Sequence, residues 1–172
     1  MTFDSVVEKI WFGLEKKLTL NSVLPVFVEQ RKKFEGWLKV EICELLQSYG
    51  YKVTPEKDFI DITAEHLAIE LKTIPTNYAW PGIPHPHAKA ITNGINDVLK
   101  DIGELRFEPY EIRMVNFIVY PLSRSCTSKH YNLWTKDHLE RIKRQIPDKD
   151  LIEKPFEFQN GFPGIAYFGR VE

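Results

Sequence analysis

The chain has 172 residues, 43% of them hydrophobic, and a formal net charge of −1. That length suits one domain with its own core, and the composition argues against extensive disorder. No apolar run reaches the length of a membrane span, and Cys43 and Cys126 are too few for a disulfide scaffold or a cysteine zinc site.

The opening residues Met1 to Lys9 are charged and amphipathic, without the basic start and apolar centre of a secretory signal. A reducing, cytoplasmic setting is expected. Asp4-Ser5 caps a first helix through about Leu18, with Val6, Val7, Ile10, Trp11 and Leu14 as its stripe. A second helix is expected from about Val26 to Tyr49, in one piece or two, stopping at Gly50. Tyr51 to Thr54 reads as extended and Pro55 to Asp58 as a turn. Phe59 to Thr63 and Leu67 to Thr73 then form a hairpin around Ala64-Glu65-His66.

Pro75 to His87, with four prolines and a glycine, is a loop. Ala88 to Leu105 is a helix, Met114 to Tyr120 a buried strand, Leu133 to Gln145 a basic helix, and Ile165 to Val171 a last strand. The expected fold class is α/β, a central mixed β-sheet flanked by helices. The chain divides into an N-terminal helical extension (1–25), a core bearing the chemistry (26–125) and a C-terminal region with the basic helix and an aromatic strand (126–172).

The chemistry concentrates on the hairpin. Side chains alternate along a strand, so Glu70 and Lys72 share one face while Ile69 and Leu71 take the other. Asp61 lies on the partner strand, within reach of a cation held by Glu70. Two carboxylates with water and phosphate make a plausible shell for Mg²⁺. A lysine beside them serves to orient water or to stabilise developing negative charge. On a wheel of about 100° per residue, Phe34, Leu38, Leu45 and Tyr49 cluster, and Glu41 falls within their arc. A carboxylate on an apolar face is costly unless paired or metal-bound. Glu35, at the arc's edge, is the weaker candidate.

Glu41, Asp61, Glu70 and Lys72 together resemble the signature of the PD-(D/E)xK nuclease superfamily, the restriction-endonuclease-like fold. The resemblance runs from about Phe34 to Thr73, with Ile60 where the family often has proline. It implies a metal-dependent nuclease using Mg²⁺ or Mn²⁺, with DNA ahead of RNA as substrate. By matching position, Asp61 and Glu70 would bind metal, Lys72 would be the catalytic lysine and Glu41 an accessory acid. A homodimer is expected by analogy, since cutting both strands needs two sites. The alternative is the same fold kept, without catalysis, to bind nucleic acid or a protein partner. Spacing alone is weak evidence, since Glu15-Lys16-Lys17 repeats it within an amphipathic helix.

Other candidates are peripheral. Tyr78, Trp80, His85 and His87 stack on bases or cover the site if their loop hangs at a cleft mouth, and otherwise form a surface loop. Lys136, Arg141 and Arg144 follow a phosphate backbone or form a solvated helix face.

Overall fold

The computed structural model describes residues 2–81, 91–125 and 127–172. The fold is α/β: one six-stranded mixed sheet with helices on both faces. Its strands are β1 (Val53–Lys57), β2 (Ile60–Ala64), β3 (Leu67–Pro75), β4 (Ile112–Tyr120), β5 (Leu151–Glu157) and β6 (Pro163–Arg170). They lie in the order β1-β2-β3-β4-β6-β5. The pairing of β3 with β4 is parallel and the other pairings are antiparallel. Both edge strands contain a proline, Pro55 in β1 and Pro155 in β5, where a missing N–H is tolerated and discourages pairing with another chain.

One face of the sheet is covered by α1 (Phe3–Leu20) and α3 (Glu35–Ser48). The segment expected as an extension is part of this core, because Val7, Ile10, Leu14 and Leu18 of α1 are fully buried. Truncating one of them, as in Leu14→Ala, would cost about 2–5 kcal/mol. The two helices cross closely at Gly13, where a Cβ would collide with Leu45. The other face is covered by α4 (Ile91–Leu105) and by the segment α5 (Lys129–Trp134) to α6 (Glu140–Lys143).

Several expectations change. The first helix starts one turn earlier, capped by the Thr2 hydroxyl, which accepts from the Ser5 N–H at 3.3 Å. The second helix is split into α2 (Leu24–Glu29) and α3, with Arg31 between them at φ +53°. Pro55 to Asp58 is mostly strand: β1 runs to Lys57 and the turn narrows to Asp58 and Phe59. The basic helix is interrupted by a π-helical turn over Thr135–Leu139. Strand β5 was not anticipated; its sequence carries three charges and a proline, which masks the alternation expected of a strand.

Candidate functional site

Strand alternation sets the site. Ile69 and Leu71 of β3 enter the α1–α3 core, while Ala68 and Ile74 enter the α4 core. Glu70 and Lys72 lie between the latter two in the alternation and so face α4. There Lys72 Nζ stands 2.7 Å from Asp101 Oδ2, on the inner face of α4.

Asp61 occupies the place where β2 parts from β3. Ile62 is still opposite Ile69, but Ile60 pairs with Lys57 of β1. The Leu71 N–H donates instead to Asp61 Oδ2 at 2.9 Å, so the carboxylate reaches round the strand edge. Its Oδ1 is 2.7 Å from Lys39 Nζ on α3, and Lys39 also meets Glu56 at 2.9 Å. The Asp61 and Glu70 carboxyl groups line one cleft, close enough for each to shift the other's titration.

Three acids and two lysines thus meet, with Asp61 paired to Lys39 and Asp101 to Lys72. Glu70, only 8% exposed, makes no ion pair among the described residues. Burial, then the Asp61 contact and the repulsion of Asp101 and Asp61, push its carboxyl up to about 8, against the pull of Lys72. Burial acts against the charged form of Asp61 as well, but Lys39, the Leu71 N–H and Glu70 outweigh it and hold this carboxyl below its ordinary value. Of the two carboxyls, Glu70 thus favours its protonated form and Asp61 its charged form. Burial opposes the Lys72 cation too, yet Asp101, Asp61 and Glu70 overcome it and keep the amine charged. Burial raises the Asp101 carboxyl despite its lysine.

Asp61, Glu70, Lys72 and Asp101 line a cleft of about 480 Å³, together with Phe59, Lys100, Glu104 and Glu108. The donor set suits a hard cation: two neighbouring carboxyls in one cleft, one of which favours a proton that a divalent ion would displace. Among the described residues no three acid, histidine or cysteine side chains already form a metal cluster. A cation would rest on Asp61 and Glu70 and complete its shell with water or substrate oxygen.

The remaining sequence candidates lie elsewhere. Glu41 pairs with Lys17 of α1, which it shares with Glu44, and it does not join Asp61 and Glu70. The wheel was anchored on Phe34 and Tyr49, whereas α3 buries Leu38, Ile42 and Leu46 and leaves Tyr49 exposed. The side of α3 that meets the hairpin instead bears Glu35 and Lys39, one turn apart. Glu35 Oε1 accepts from the Thr73 N–H at 3.0 Å. Tyr78 is stacked on His130, with ring centroids 4.9 Å apart, and its carbonyl accepts from Arg31 at 2.7 Å. Trp80 packs against the α1–α3 core. His85 and His87 lie outside the described residues. Lys136 and Arg144 are exposed and Arg141 donates to Asn96 at 2.7 Å; none of the three is among the described residues lining the cleft.

Sequence reasoning missed Lys39, Asp101 and Phe59. Asp101 had a signal: it falls between Val98 and Leu105 on the buried side of α4, the anomaly that drew attention to Glu41. Lys39 had none, since only the fold brings α3 to the hairpin. No protein-family model matches the chain, and neither the curated proteins nor the solved structures give a significant match.

Proposed function

We propose that the protein is a Mg²⁺- or Mn²⁺-dependent nuclease with a restriction-endonuclease-like core, acting on DNA in preference to RNA. One observation carries this reading: the half-buried Asp61 and buried Glu70 carboxyls line one cleft with Lys72, which lies two residues from Glu70 along the same strand face. Asp61 and Glu70 would hold the ion. When bound, it would acidify a water molecule and offset phosphate charge.

Lys72 stays cationic against Asp101 and faces the position where negative charge builds on the phosphate. Lys39 holds Asp61 ionised and aimed at Glu70, ready to accept the cation. Glu41 takes no part in the reading, and Glu35 and Lys39 occupy the helix turn beside the site instead. The rival reading, a non-catalytic module binding nucleic acid or a protein partner, draws on the neutralisation of Asp61 and Asp101 by a lysine each.

A cleavage assay on plasmid, single-stranded DNA and RNA, with Mg²⁺ or Mn²⁺, separates the two. Wild type cuts in a metal-dependent way, and Lys72→Ala and Asp61→Ala do not. Metal-dependent cutting that survives both substitutions rejects this active site. Binding without any cutting by wild type supports the rival.

A further inference from the structure

Phe59 is held in an arrangement that neither the core nor the carboxylate site requires. It follows Asp58 in the β1–β2 connection, and both residues have positive φ, +53° for Asp58 and +70° for Phe59. A bulky residue there is a genuine outlier, because its Cβ crowds the backbone. The ring gains no burial in return, since Phe59 is fully exposed. The connection thus turns a large apolar ring into water two residues before Asp61.

The ring lines two recesses: the cleft that also holds Asp61, Glu70 and Lys72, and a second one whose wall includes Lys39 and Glu56. Phe59 and Asp61 border both. A chain with its phosphate at the carboxylates would have the ring within the same cleft lining. The lining of the main cleft also bears Asp58, Glu104 and Glu108 against Lys100, so charge gives a polyanion little hold there. Stacking of a base on an aromatic face needs no such charge. A base paired within a duplex cannot offer its face to the ring without leaving the stack.

We infer that Phe59 is a stacking platform for an unpaired base beside the phosphate held at Asp61 and Glu70, so that the site takes single-stranded polynucleotide. This rests on the nuclease reading and narrows its substrate. Binding is measured in a Lys72→Ala background with Mg²⁺, which prevents cutting. The probes are short single strands of DNA or RNA carrying a 2-aminopurine, and the matching DNA duplex. Expected are a fluorescence change that reports stacking, tighter binding of single strand than duplex, and a roughly tenfold loss of that preference in Phe59→Ala. Phe59→Trp restores it.

The inference is overturned if Phe59→Ala keeps the preference, if single strand and duplex weaken equally, or if the parent protein binds neither or favours the duplex. The two readings fail separately. Phe59-dependent binding by a wild-type protein that cuts nothing removes the nuclease and leaves the stacking role. Wild-type cutting with an unchanged KM for single strands in Phe59→Ala removes the stacking role alone.

Discussion

Two clusters in which acids outnumber lysines behave in opposite ways. Between α1 and α3, Glu41 and Glu44 share Lys17. Between β2, β3 and α4, Asp61, Glu70 and Asp101 share Lys39 and Lys72. In the first, the Glu44 side chain is 67% exposed, so water solvates the surplus charge, and contact with Lys17 holds its carboxyl below the ordinary value. In the second, burial denies Glu70 that solvation and pushes its carboxyl up to about 8. An excess of carboxylate is inert at a surface and becomes a demand for a proton or a cation when buried.

The comparison breaks most visibly in activity. Lys72→Ala should lower cleavage by on the order of 10²–10³, the usual loss of a group that stabilises developing charge. Lys17→Ala should leave the rate unchanged. Equal losses from both would show that the two clusters are not distinct. Asp101→Asn, which removes the partner of Lys72, should lower the rate by a smaller factor, about tenfold, if the contact mainly orients the amine.

Stability offers a second test, and its sign follows from the Glu70 carboxyl being raised. Without metal, the native state binds the Glu70 proton more tightly than the unfolded chain does. Stability from that proton is present at acid pH and is lost as pH rises from the ordinary glutamate range towards about 8. Glu70→Gln removes the dependence. In EDTA it should raise Tm by on the order of 10 °C at alkaline pH, with little change at pH near 4. A fall in Tm at alkaline pH would mean that Glu70 is already satisfied as a carboxylate. The smallest effect is expected at the surface cluster, where Glu41→Gln should change stability by no more than about 1 kcal/mol at any pH by denaturant titration.

The hairpin that bears Asp61, Glu70 and Lys72 is legible in the sequence because its signals are local. Alternation in Ile69-Glu70-Leu71-Lys72 fixes which side chains share a face, and apolar runs flanking Ala64-Glu65-His66 fix the turn. The partners Lys39 and Asp101 come from elements far along the chain, and only packing on opposite faces of the sheet brings them to the hairpin. Glu41 misled because a wheel treats Phe34 to Tyr49 as one uniform helix, although Phe34 is its cap and the buried stripe is Leu38, Ile42 and Leu46. Strand β5 escaped notice because an edge strand needs less apolar alternation than a central one, and Pro155 reads as a breaker. Phe59 reads in sequence as the start of a strand, because the backbone conformation that exposes its ring is a tertiary outcome.

The central claim, that Asp61 and Glu70 await a divalent cation, is tested most directly by calorimetric titration of Mn²⁺ in buffers of different ionisation enthalpy. At neutral pH, below the raised value of the Glu70 carboxyl, binding should release close to one proton per ion and should strengthen as pH rises towards 8. Both the binding and the release should vanish in Asp61→Asn. Absence of binding in wild type, or binding that Asp61→Asn and Glu70→Gln leave intact, would contradict the account.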